Sequence, residues 1–229
     1  DVSGLVHSSS HSSKINKTVY TRNSRQGSYR TDAISSGSAY SVPAYASFFL
    51  KTNATTASVT FTESMKQNSS SLSTFLGGGD ENTPNLLRIS ALIKNEVYDK
   101  LDFFFGEQYG DTFDHIYDAF KLNNDYFNLY SLTTDGSKVA IDYRKLDTNQ
   151  LIPIGLGISK NKSDSIELFF DANNTGASLY LFDLLTREKT EIKTGNNYKL
   201  YVSDADKETF GNNRLVVGSY SAIQTLSAT

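Results

Sequence analysis

The 229-residue chain contains no cysteine. Disulfides, thiolate metal sites and cysteine nucleophiles are therefore excluded. It also contains no tryptophan, which removes one platform for a sugar ring, although tyrosine offers the same face-stacking physics. No apolar run approaches the ~18–20 residues that carry a helix across a bilayer. Neither sign of charge dominates: 22 Lys and Arg stand against 25 Asp and Glu, for a net charge of −3. No field of that size holds a nucleic acid by its phosphates, so DNA and RNA are discounted as partners. No stretch reads as a signal peptide, and a chain beginning at Asp1 is read as a mature or trimmed piece.

What is present points to a folded β-protein. Hydrophobic residues make up 38% and charged residues 21%, enough apolar surface to support a core. The length suits one large sandwich or two small domains. The 14 Tyr and 14 Phe, with many Ser, Thr and Asn, favour pleated, half-buried surfaces.

The chain divides by composition. Residues 1–40 are Ser-rich, with the run Ser8-Ser9-Ser10-His11-Ser12-Ser13. They read as an irregular segment or the end of an upstream domain, with Val19 and Tyr20 as a short edge strand. From residue 41 the chain turns apolar and aromatic, and Val59 and Phe61 alternate onto one face. Residues 67–84 carry breakers, including Gly77-Gly78-Gly79, and read as a long loop. Short strands then recur over residues 86–93, 97–105, 126–132, 139–143, 151–158, 165–170, 177–183, 189–192, 198–202 and 214–218. Turns are expected at Asn95-Glu96 and at Asp135-Gly136. Residues 221–229 are small and polar and read as a linker.

This spacing predicts an all-β fold: an antiparallel, jelly-roll-like β-sandwich over residues 41–220. The expected core includes Phe49, Val59, Phe61, Ile89, Phe104, Leu122, Leu132, Ile154, Leu168, Leu181 and Val216.

The order of motifs carries a resemblance. Phe48-Phe-Leu-Lys51 is followed by Ala57-Ser-Val-Thr-Phe-Thr-Glu63, Leu87-Arg-Ile-Ser90 and Asp102-Phe103. Phe113-Asp-His-Ile-Tyr-Asp-Ala-Phe-Lys-Leu122, Leu129-Tyr-Ser-Leu132, Ile152-Pro-Ile-Gly-Leu156, Leu179-Tyr-Leu-Phe-Asp183, Tyr198 and Asn213-Arg-Leu-Val216 complete it. The chain resembles the β-sandwich region that precedes the C-terminal sorting domain of type IX secretion cargo in the Bacteroidota. The resemblance spans roughly residues 41–220, and a sorting domain would follow near Thr229. It implies export by the type IX machinery to the cell surface or beyond, and a part in adhesion, gliding or spacing. Surface glycans and outer-membrane proteins are the partners it implies, including a translocon that holds the chain as cargo or subunit.

Several side-chain groups invite a chemical reading. His7 and His11 are four apart, but serines make a poor helix on which to pair them as metal ligands. His115 lies between Asp114 and Asp118, yet no Gly-x-Ser-x-Gly elbow accompanies them. Asp114 and Asp118 read instead as turn residues whose carboxylates take backbone N–H groups, with Tyr117 and Phe120 facing the core. Oxygen-rich loops suit calcium: Asp80-Glu81-Asn82, Asn123-Asn124-Asp125, Asp171 with Asn173, and above all Asp204, Asp206 and Glu208. The last set lacks the glycine of a calcium loop at its sixth position, where Thr209 stands. No catalytic residue and no cofactor is expected apart from such a structural calcium. Carbohydrate binding through exposed Tyr and loop Asp or Asn is the alternative function. Asn16, Asn53, Asn68, Asn161 and Asn173 open glycosylation triplets, and Asp111-Thr112 and Asp164-Ser165 are O-glycosylation candidates.

Overall fold

Alternation of apolar and polar side chains dictates most of the strands, because successive residues of a strand face opposite sides. The computed structural model describes residues 14–23, 27–34, 42, 47–62 and 85–227. In chain order the strands are β1 (Ile15–Asn23), β2 (Ser28–Ala33), β3 (Phe48–Thr52), β4 (Leu86–Ile93), β5 (Glu96–Phe105), β6 (Ala119–Phe120) and β7 (Phe127–Leu132). They continue as β8 (Lys138–Arg144), β9 (Ile152–Ile158), β10 (Ser163–Asn173), β11 (Leu179–Asp183), β12 (Glu188–Glu191), β13 (Asn197–Ser203) and β14 (Gly211–Ser219). A short helix, α1 (Tyr220–Ser227), follows. No described helix is long and apolar enough to cross a membrane.

Strands β4 to β14 form one eleven-stranded sheet in the order β12-β11-β14-β9-β7-β8-β5-β4-β10-β13, with β6 paired to β8. Its two wings face each other across a single core. Leu87, Ile89, Leu101, Phe103, Ile166, Leu168, Phe170, Leu200 and Val202 come from one wing, and Phe127, Leu129, Ile154, Leu156, Leu179, Leu181, Leu215 and Val217 from the other. Burying each such side chain contributes about 1.5–3 kcal/mol. The result is an all-β, sandwich-like fold. One pairing departs from the expected antiparallel pattern: β5 and β8 run parallel, Asp102 opposite Ile141. After β9 the chain changes wing four times, at β9–β10, β10–β11, β12–β13 and β13–β14.

The hairpins follow turn chemistry. Lys94 and Asn95 both take positive φ, 53° and 65°, as a two-residue type I′ turn requires. The turn thus sits one residue earlier than Asn95-Glu96. Gly136 adopts φ 82° in the turn between β7 and β8, where the Ser137 N–H donates to Thr133 Oγ1 at 3.1 Å.

The N-terminal part differs from the irregular segment expected. Strand β1 pairs with both β2 and β3, in the order β2-β1-β3, and is a central strand. Ile15 and Val19 on one face of β1 meet Phe48, Leu50, Ala57 and Val59 in a small core. Tyr20 on the other face packs with Phe104, Ala119, Leu122, Ile141 and Tyr143 on the outside of the main sheet. Layering, invisible to a count of serines, supplies the burial. The run at residues 8–13 lies outside the described residues.

Layering also corrects part of the expected core. Ile89, Ile154, Leu168 and Leu181 are central, but Phe49 and Phe61 are 47% and 61% exposed. Phe49 lies on the edge strand β3, edge-on to Tyr29 at 5.9 Å. Phe61 lies beyond any strand, against Phe48 at 6.1 Å. Val59 is half-buried in the small core, Phe104 and Leu122 belong to the interlayer contact, and Leu132 is half-buried. Val216 is buried on the outer face, with Phe182 and Ile223. That cover comes from α1, which occupies most of the expected linker. Ser219 caps it, its Oγ accepting the Ala222 N–H at 3.2 Å, a standard helix start.

Candidate functional site

The segment between β5 and β7 presents the most distinctive surface. Gly106 leads into it, with the Tyr109 ring 2.8 Å from where a Cβ would stand. Tyr109 meets Tyr117 at 5.0 Å and Tyr143 at 5.0 Å, both edge-on. Tyr143 in turn stacks on Phe104 at 4.4 Å. Tyr117 is 40% exposed and Ile116 45%. This corrects the expectation that Tyr117 and Phe120 face the core, because their side of the main sheet is its outer one. Phe120 stacks on Phe113 at 3.9 Å, and the Lys51 ammonium of β3 sits 3.0 Å above the Phe120 ring. Burial pushes the Lys51 ammonium below its ordinary pKa.

The turn that carries these rings is held by its aspartates. Asp118 Oδ2 accepts the Asp114 N–H at 2.7 Å, and Oδ1 accepts the Tyr143 N–H at 2.7 Å. Asp114 Oδ1 accepts the Ile116 N–H at 2.8 Å. Burial pushes the Asp118 carboxyl up to about 6, against the pull of those two N–H groups. His115 is exposed beside them.

Three buried ion pairs lie deeper. Lys121 meets Asp99 with both side chains 2% exposed. Arg144 clasps Asp142 from the same strand, Nε to Oδ1 at 2.9 Å and Nη2 to Oδ2 at 2.6 Å. Arg214 of β14 binds Asp183 at the end of β11 and also donates to the carbonyls of Tyr201 and Thr209, both at 2.7 Å. The Tyr198 hydroxyl of β13 donates to the same Asp183 at 2.9 Å. This last network ties the two wings together. Only the pair Asp142 and Arg144 had a signal in the sequence: residues two apart on a strand share a face. The other partners are 22 and 31 residues apart.

The calcium candidates are engaged otherwise. Asp204 Oδ1 pairs with Lys207 at 2.9 Å and Oδ2 accepts the Asn161 N–H at 2.9 Å. Asp206 Oδ1 accepts the Glu208 N–H at 3.1 Å. Among the described residues, no three His, Asp or Glu side chains gather to hold an ion, so Asp204, Asp206 and Glu208 are not brought together as a ligand set. Asn124 and Asp125 hold the small sheet instead: Asn124 Oδ1 accepts the Tyr29 N–H at 2.7 Å and Asp125 pairs with Arg22 at 2.7 Å. Asp171 accepts a bond from Thr194 at 3.2 Å. Asn16 is buried within β1, which places that glycosylation triplet out of reach, whereas Asn161 and Asn173 are exposed. His7, His11, Asn68, Asp80, Glu81 and Asn82 lie outside the described residues.

No family model, no curated protein and no solved structure matches this chain.

Proposed function

We propose that this chain is a non-catalytic module of an exported cell-surface protein, carried out by the type IX machinery, and that it acts as a rigid spacer or in adhesion. The observation that carries the reading is how its charges are used. Asp99 with Lys121 and Asp183 with Arg214 are committed inside to joining separate elements, Asp142 clasps Arg144 of its own strand, and the wings interlock through four chain crossings. Such a body resists deformation in the way a stalk requires. The motif order read in the sequence supplies the export half of the reading. Labelling intact producing cells with an antibody to residues 85–227, alongside fractionation, tests it. Surface signal is the expected result, and protein confined to the cytoplasm would overturn it.

A second reading is carbohydrate binding at the tyrosine ledge. Tyr109 and Tyr117 are fixed from beneath by Tyr143, so their rings are ordered before a sugar arrives, which lowers the cost of binding. A glycan array run with and without Ca²⁺, using the native chain and Tyr117→Ala, separates the two readings. Binding lost in the variant supports the ledge; no binding to any glycan leaves the spacer.

A further inference from the structure

The small sheet and the eleven-stranded sheet meet without sharing a strand. Among the described residues no backbone ladder links them. The small sheet has a core of its own, where Ile15, Val19 and Ile34 meet Phe48, Leu50 and Val59. Its other face docks through Tyr20, which meets Phe104, Ala119, Ile141 and Tyr143. Ile15 and Val19 belong to the small core, so strand alternation puts Asn16 in the set of Tyr20, toward the seam. Both residues are buried, at 1% and 2% exposure. Of the four buried side-chain polar atoms without a hydrogen-bond partner among the described residues, three lie on them: Asn16 Nδ2 and Oδ1, and the Tyr20 hydroxyl. A polar group buried in this way loses water and gains no bond in exchange. The bonds that do cross lie at the rim, where the β1–β2 turn meets the chain just before β7. Gly27 C=O accepts the Asp125 N–H at 2.8 Å, and Asn124 Oδ1 accepts the Tyr29 N–H at 2.7 Å. Arg22 meets Asp125 at 2.7 Å, with side chains 32% and 63% exposed, and such an exposed pair contributes little.

We propose that the small sheet is a movable layer, which leaves and rejoins the main sheet while the main sheet stays folded. Closure is held by one aromatic anchor and a solvent-facing rim, and opposed by the polar atoms it buries. On opening, the Asn16 amide and the Tyr20 hydroxyl regain water, so the groups left unpaired in the closed state favour the open one. The main core loses nothing, because its side chains lie on the far side of β5 and β8 from the seam. Openings smaller than global unfolding follow units of this kind, and a polar interface between separately cored units is where such motion is expected. The movement uncovers Phe104 and Tyr143, the rings on which the tyrosine ledge rests. The inference stands independently of the surface role proposed above.

The chain has no cysteine, so a single introduced thiol reports one place. Ala119 in the seam and Ala91 in the main core are both 0% exposed. Ala119→Cys and Ala91→Cys, each in the full folded chain, are labelled with a thiol reagent across a series of low urea concentrations. The seam thiol should react at least about tenfold faster than the core thiol, the factor that one unpaired buried polar group supplies. Its rate should also rise less steeply with urea, because less surface is exposed. Adding Leu168→Ala, far from the seam, should speed the core label about thirtyfold or more and leave the seam label unchanged. Equal rates with equal urea slopes, or a Leu168→Ala effect of the same size on both thiols, would mean that the layers part only on global unfolding, and either result overturns the proposal. Ile141→Cys and Val217→Cys repeat the comparison if an alanine site does not tolerate the thiol.

Discussion

Replacing Arg214 by methionine tests whether the sandwich is clipped where the structure places the clip. Arg214 is 4% exposed and Asp183 is fully buried. The substitution removes the bonds to Asp183 and those to the Tyr201 and Thr209 carbonyls. Asp183 keeps the Tyr198 hydroxyl and the Leu185 N–H, the latter at 2.9 Å, but its charge loses its counterion. Breaking a buried pair from one side costs about 3–5 kcal/mol. Two buried carbonyls left unpaired add about 1–3 kcal/mol each where they do not find other donors. Against a total stability of about 5–15 kcal/mol, a loss of at least about 4 kcal/mol is expected. At about 2–4 °C per kcal/mol for a domain of this size, the midpoint falls by about 8–16 °C. Thermal unfolding followed by tyrosine fluorescence measures the midpoint, and urea unfolding the free energy. The double variant Asp183→Asn with Arg214→Met should recover part of the loss, because no charge is then stranded. A single variant that costs less than about 1 kcal/mol would refute the reasoning, since it would mean that Asp183 is not desolvated.

Three other substitutions follow from particular contacts. A Cβ at Gly155 would stand 1.9 Å from the Tyr130 ring, so Gly155→Ala should cost about 1–3 kcal/mol in denaturant unfolding; in a Tyr130→Ala background that cost should disappear, and equal costs in both would contradict the contact. Asp118 titrates near 6 when folded, above its ordinary 3.8, so the folded state holds this proton more tightly. Its stabilising contribution is full below about pH 4 and is lost as pH rises through 6. The stability advantage of the native chain over Asp118→Asn should therefore shrink by about 3 kcal/mol across that window, and a constant difference from pH 4 to 6.5 would rule it out. The Tyr20 hydroxyl is buried without a hydrogen-bond partner among the described residues. Tyr20→Phe should thus be neutral or stabilising by up to about 1 kcal/mol in thermal unfolding, whereas a clear loss would show that the hydroxyl is satisfied.

Strand positions were legible because local alternation and turn residues determine them. Leu86–Ile93 has Leu87, Ile89, Ala91 and Ile93 in one buried period-two set, and the strand has the expected bounds. The pairing of those strands was not legible. Nothing in residues 138–144 says that β8 runs parallel to β5, because that choice depends on where distant segments meet. The small sheet was hidden for the same reason. Val19 and Tyr20 look like an isolated apolar pair until each is given a different layer to face. The site followed the same division. Asp114 and Asp118 bond within their own turn, so spacing exposed them. Asp99 with Lys121, and Asp183 with Arg214, meet only through tertiary packing, and no local pattern marks them.

The last strand, β14, lies between β9 and β11, hydrogen-bonded to both. As the chain is made, one wing therefore has a missing centre until residues 211–219 emerge. β9 and β11 have no direct ladder to each other in the final order, so neither can settle early against its eventual neighbour. Contacts that distant in sequence make for slow folding. A ribosome or a transport channel handling this chain thus holds β9 and β11 with exposed edges until residues 211–219 arrive. Emergence of residues 211–219, from a ribosome or at the far side of a barrier, becomes the event that lets this wing close.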